Sequence, residues 1–262
     1  MRISLASVPG DPEHPNEDWV SAVTPTPGGG GVLIALDGVT PPRGPDGCVH
    51  GVPWFTARLG GRLTELSASR RDMPLAVALA GAIADTAAGH RDSCDLSHTR
   101  TPQATVVAVR WDASYVEHLV LSDSVLLLES PEGGVTAVRD DRLDHVPAEV
   151  LRSHAATDAL RNAYGREGAF FTAAADPAAA GRAVTGRTPR ERVRAVAALT
   201  DGASRWTDTF REGNWAACMA VLGKEGPAGL IDRVRTLETD PARAGRPRWK
   251  RHDDASAVYA EL

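Results

Sequence analysis

Carboxylates recur where the apolar runs of this 262-residue chain stop. Asp37 closes LIALDG, Asp123 closes LVLSDS and Asp201 closes AALTDG. Glu17 and Asp18 open another run in NEDWV, and Asp253 and Asp254 open the last in HDDASAVY. An Asp-Gly after a strand is by itself a turn. Several together form a different pattern, because strand ends are where a rigid scaffold presents functional groups. Carboxylates that converge repel one another unless a cation sits between them. All-oxygen ligation selects hard ions, Mg²⁺ or Mn²⁺. Two such ions ~3.5–4 Å apart activate a water and clamp an in-line phosphoryl displacement. Spacing alone does not establish that these carboxylates converge.

The elements that must position them follow from periodicity and turn residues. RISLASV, DWVSAVT and GVLIALDG read as strands, with the glycines at Gly28–Gly31 as a hairpin connection. These glycines precede their strand and lack a GK[ST] ending, which excludes a phosphate-binding loop. WFTARLGGRLTELSAS and PLAVALAGAIADTAAG read as helices, the first with Phe55, Leu59, Leu63 and Leu66 on one face. ATVVAVRW, EHLVLSDSVLLLE and GVTAVRD read as an antiparallel meander. Residues 148–164 read as one helix and 165–190 as an irregular, flap-like insertion. RVRAVAALTDG then gives a strand, NWAACMAVLGKEGPAGLIDRVRTLETD one or two helices, ARAGRPRWKRHDD a basic loop and ASAVYAEL a closing strand. This order predicts a single domain over residues 1–262. Its class is α+β, a four-layer α-β-β-α sandwich with two central antiparallel sheets.

Composition narrows the function. The net charge of −5 excludes bulk attraction to nucleic acid or an anionic membrane. No run reaches the ~20 apolar residues of a membrane span. The N-terminus turns polar too early for a secretory signal. A cytoplasmic protein is expected. Lys224 and Lys250 are the only lysines, the mark of a GC-rich bacterial gene. Cys48, Cys94 and Cys218 lie far apart without CxxC spacing, which argues against a disulfide framework and against a thiolate zinc site. The eight histidines show no HxxxH or HExxH spacing, which argues against a histidine metal site. The basic run Arg243, Arg246, Arg248, Lys250 and Arg251 reads as a solvated loop. The chain has no GxSxG elbow and no cysteine in a recognisable anion-binding loop, which gives no setting for a nucleophilic serine or cysteine.

NED, a strand ending DG, then ATVV, SDS, TDG and DDA, in that order from Asn16 to Val258, resemble the metal-dependent protein phosphatases of the PPM/PP2C family. The resemblance implies a phosphoester hydrolase that uses two Mg²⁺ or Mn²⁺ ions, with a third ion in some bacterial members. In it, water bridged by the ions attacks phosphorus. Asp18 resembles a metal-ligating aspartate and Glu17 a residue supporting the metal through water. Asp37 resembles the carboxylate bridging both ions, with the Gly38 carbonyl as a further ligand. Asp201 and Asp253 resemble ligands of the second ion, and Asp123 a ligand of the third. The implied substrate is phosphoserine or phosphothreonine in a protein.

The chain departs from that pattern twice. The family's phosphate-gripping arginine falls on Glu13, a carboxylate that repels phosphate. The DGHG run is DGVT here, so Val39 replaces a histidine proposed as general acid. Arg43, or His14 when protonated below about pH 6.5, is expected to take over phosphate binding. The altered position leaves two rival expectations: a phosphatase for a small phosphorylated metabolite, or a non-catalytic domain that binds a partner protein.

Overall fold

The computed structural model describes residues 1–24, 30–240 and 251–262. Its ten strands form two antiparallel sheets. In chain order they are β1 (Arg2–Val8), β2 (Trp19–Val23), β3 (Gly31–Gly38), β4 (Ala104–Trp111), β5 (Tyr115–Leu121), β6 (Val125–Glu129), β7 (Val135–Val138), β8 (Val184–Pro189), β9 (Ala195–Leu199) and β10 (Ala255–Glu261). One sheet runs β1-β10-β9-β6-β7 and the other β2-β3-β4-β5-β8.

The central strands are apolar at every position because both of their faces are covered. In β3, Val32, Ile34 and Leu36 pack under helices α1 (Val52–Ser69) and α2 (Leu75–Ala88), while Leu33 and Ala35 face the opposite sheet. In β9, Ala195, Ala197 and Leu199 pack under α5 (Asp201–Asp208) and α6 (Trp215–Thr239), while Val196 and Ala198 face inward. Three apolar layers therefore separate four layers of backbone, as the sequence predicts. Phe55, Leu59 and Leu63 line the buried face of α1, and Pro53 sits in its first turn. Helix α6 breaks at Gly226, φ 77°, ahead of Pro227, which resolves the expected "one or two" helices.

Three expectations need correction. EHLVLSDSVLLLE is two strands in different sheets: the chain turns at Ser122, φ 69°, and its amide donates to buried Asp140 Oδ2 at 2.8 Å. The run expected as one helix is α3 (Ala148–Leu151) and α4 (His154–Leu160), because Ser153 accepts from the Ala156 amide and starts a new helix. Within the stretch expected to be irregular, Val184–Pro189 pairs with β5 as an edge strand. Gly28 and Gly29 of the expected glycine hairpin and the basic run from Arg243 to Lys250 lie outside the described residues. Among the described residues no helix is long and apolar enough to cross a membrane.

Candidate metal centre

Register brings one set of strand ends to a common edge. Trp19 opposes Leu36, Gly38 opposes Ala104 and Leu121 opposes Val106; in the other sheet Leu199 opposes both Ala257 and Val125. Asp18 precedes β2, Asp37 is the second-to-last residue of β3, Asp123 occupies the β5–β6 crossover, Asp201 opens α5 and Asp253 precedes β10. Three contacts cross between the sheets here. The Thr200 hydroxyl donates to Asp18 Oδ2 at 2.9 Å, the Asp201 amide donates to Asp37 Oδ2 at 3.3 Å, and the Thr105 and Ser124 hydroxyls lie 2.5 Å apart.

The carboxylates raise one another's pKa. Burial pushes Asp18 up to about 8, against hydrogen bonds from Ser256 and Thr200, and the charges of Asp201 and Asp254 add to it. Burial and then the charges of Asp201, Asp18 and Asp123 hold Asp37 well above the usual carboxylate range. Burial, Asp253 and Asp123 push Asp201 up to about 6, with the Arg205 guanidinium opposing them. Asp123 is raised by burial and by Asp144 and Asp140. Asp18 Oδ1 is buried without a hydrogen-bond partner. Crowded, desolvated oxygens with one orphan are a donor set that a hard divalent cation would satisfy, so these residues fit Mg²⁺ or Mn²⁺.

The surroundings fix the carboxylates in place. Asp254 accepts from the Gly10 and Glu17 amides, both at 2.7 Å. The Glu17 carboxylate accepts from the Thr40 hydroxyl. Gly38 has no room for a side chain: a Cβ there would come within 2.5 Å of the Glu17 carbonyl oxygen. Arg205, buried behind the site, donates to Asp253 Oδ2 at 2.8 Å and to Glu238 Oε1 at 2.6 Å.

A cleft of about 780 Å³ opens beside Asp123 and Asp201 and is lined also by Arg139, Arg152, Ser204 and Arg205. Arg139 pairs with Asp144 at 3.1 Å. Arg152 is exposed at the end of α3 and makes no ion pair among the described residues. Arg43 and His14 do not line this cleft. Arg43 is exposed, and exposed His14 sits 3.5 Å from Asp11. Sequence reasoning missed Arg152, which carries no local signal.

One grouping of thiols and imidazoles lies outside the reach of the spacing argument. Cys48, His50, His90 and Cys94 each offer a ligand atom within 4.8 Å of the others. The two halves flank the α1–α2 hairpin, and only the packing of those helices brings them together.

No family model matches the sequence, and no curated protein matches it. Solved structures do match in fold. The serine/threonine phosphatase PstP/Ppp of Mycobacterium tuberculosis aligns with TM-score 0.62 and 16% identity over 100% of this chain and 98% of that one. The PstP catalytic domain in complex with two manganese ions aligns with TM-score 0.58 and 18% identity over 99% and 97%. Stp1 from Staphylococcus aureus aligns with TM-score 0.59 and 12% identity over 99% and 94%.

Proposed function

We propose that this chain, which has the fold of the PP2C-type serine/threonine phosphatases, is a metal-dependent phosphoester hydrolase acting on phosphoserine or phosphothreonine in proteins. The observation that carries the reading is buried Asp18, whose Oδ1 lacks a partner, set against Asp37 of its own sheet and Asp201 from the facing sheet edge. Asp18, Asp37 and the Gly38 carbonyl would hold one Mg²⁺ or Mn²⁺ ion. Asp37, Asp201 and Asp253 would hold a second, and Asp123 would contribute to a third. Bound there, the ions lower the pKa of water and neutralise phosphoryl oxygens.

The chain's own groups do the positioning. Thr200 holds one oxygen of Asp18, and the other has no hydrogen-bond partner. Arg205 holds Asp253, and Asp254 holds the segment that carries Glu17. Arg152, unpaired on the cleft wall, is the guanidinium we assign to the substrate phosphate, in place of the arginine missing at Glu13. Its planar fork matches two phosphate oxygens.

The test is p-nitrophenyl phosphate hydrolysis with Mn²⁺, with Mg²⁺ and without added metal, for wild type and Asp37→Asn. Metal-dependent turnover that falls at least ~100-fold in the variant is expected. Folded wild type that turns over nothing with either ion would overturn the proposal. Phosphopeptides compared with small phosphorylated metabolites then decide the substrate class.

A further inference from the structure

We infer that Cys48, His50, His90 and Cys94 form a second metal site, a closed zinc centre that clips the end of the α1–α2 hairpin. It shares no residue with the carboxylate site. Cys48 and His50 lie in the loop just before α1, and His90 and Cys94 just after α2. His50 Nδ1 lies 3.3 Å from Cys94 Sγ and 3.7 Å from Cys48 Sγ, and His90 Nδ1 lies 3.6 Å from Cys48 Sγ. Zn–S bonds of ~2.3 Å and Zn–N bonds of ~2.0 Å on a tetrahedron put sulfur and nitrogen ~3.5 Å apart, which these separations match. The Cys48–Cys94 separation, 2.9 Å, is shorter than the sulfur–sulfur edge of such a tetrahedron, and it lies well beyond the ~2.05 Å of a disulfide.

Independent features point the same way. His90 is buried, its Nε2 has no hydrogen-bond partner, and its Nδ1 faces only a thiol. Ligation through Nδ1 would give that nitrogen a stronger partner than a thiol. Backbone amides of Val49 and His50 point at Cys94 Sγ and Cys48 Sγ, both at 3.4 Å, and favour thiolates there. Burial pushes the Cys94 thiol up, but hydrogen bonds from Cys48, the Val49 amide and His50 outweigh it and bring the thiol down to about 7. The Trp54 indole stacks on His50 with ring centres 4.2 Å apart and shields the cluster.

Two sulfurs and two imidazole nitrogens select zinc over the hard ions of the carboxylate site. Four protein ligands leave no open position, so the role is structural. The Asp95 amide donates to the Gly47 carbonyl at 2.7 Å, so the two ligand-bearing loops are already joined. The first of these loops leaves β3 directly after Asp37 and Gly38. The clip therefore anchors the backbone that flanks the carboxylates.

The test measures metal content of reduced protein after dialysis into zinc-free buffer containing Mg²⁺. One zinc per chain is expected in wild type and in Asp37→Asn, and at least tenfold less in the Cys48→Ser/Cys94→Ser double variant. Cobalt-substituted wild type should show thiolate charge-transfer and tetrahedral ligand-field absorption, and this decides the matter even if the double variant does not fold. Reduced wild type that takes up neither zinc nor cobalt would overturn the inference. So would zinc retained by the folded double variant, or chains isolated without reductant that carry a Cys48–Cys94 disulfide.

Discussion

The Thr200 hydroxyl donates to Asp18 Oδ2 at 2.9 Å while accepting from the Ser256 amide at 2.9 Å. One buried side chain thus ties the start of β2 to the β9–β10 edge of the other sheet. It also fixes which oxygen of Asp18 remains free. Thr200→Val keeps the shape and removes both bonds. It should cost about 1–3 kcal/mol of stability and weaken Mn²⁺ binding several-fold. Urea unfolding and titration calorimetry measure the two effects. Unchanged Mn²⁺ affinity would detach Thr200 from the site.

The raised carboxylates predict an unusual pH response. Asp18 near 8, Asp201 near 6 and Asp37 well above its usual range all bind protons in the folded chain that the unfolded chain has released, since the unfolded values lie near 3.8. Their stabilisation is complete below about pH 4 and is lost as pH rises through 6 toward 8. Without added Mg²⁺ or Mn²⁺ the melting temperature should fall by roughly 5 °C or more between pH 5.5 and pH 8. Mn²⁺ should restore more at pH 8 than at pH 5.5. Asp201→Asn should flatten the metal-free profile and abolish most of the Mn²⁺ effect. A profile that rises with pH would contradict this account.

Arg152 is assigned to phosphate on the strength of its place on the cleft wall and its lack of an ion pair. Arg152→Ala should raise KM for a phosphoester about tenfold, the loss of ~1.4 kcal/mol, with little change in stability. Arg43→Ala serves as the contrast, because Arg43 does not line the cleft. Steady-state kinetics on both variants separate them; a KM that rises only for Arg43→Ala would return the role to the loop after Gly38.

Glu238 is fully buried and accepts from Arg205 at 2.6 Å and Arg235 at 2.8 Å, with His252 Nδ1 2.9 Å away. Glu238→Ala strands two buried or half-buried guanidinium groups. It should destabilise the fold by about 3–5 kcal/mol. Because Arg205 also holds Asp253, the loss should extend to Mn²⁺ affinity. Chemical denaturation checks the first effect, and a loss under about 1 kcal/mol would show that solvent replaces the carboxylate freely.

Much of the fold was legible locally. Strands buried on both faces must be apolar at every position, so GVLIALDG, ATVVAVRW and AVAAL announce themselves, and the aspartates that end them are adjacent in the chain. The SDS crossover was hidden because a turn between two apolar runs looks the same whether the chain stays in one sheet or changes sheets. That choice rests on Ser122's positive φ and the Asp140 carboxylate, 18 residues downstream. The flap's last residues escaped because VTGRTP acquires strand geometry from pairing with β5 and has no alternating pattern of its own.

By itself, then, the sequence determined most of the inventory: the central strands and the long helices, and that carboxylates stand at the strand ends. These are properties of neighbouring residues, set by burial periodicity and turn chemistry. Tertiary structure alone decided what meets what. Thr200 reaches Asp18 across 182 residues, and Cys48 reaches Cys94 across 46. Such meetings depend on how two sheets and two helices pack, and packing acts between surfaces that no local pattern encodes.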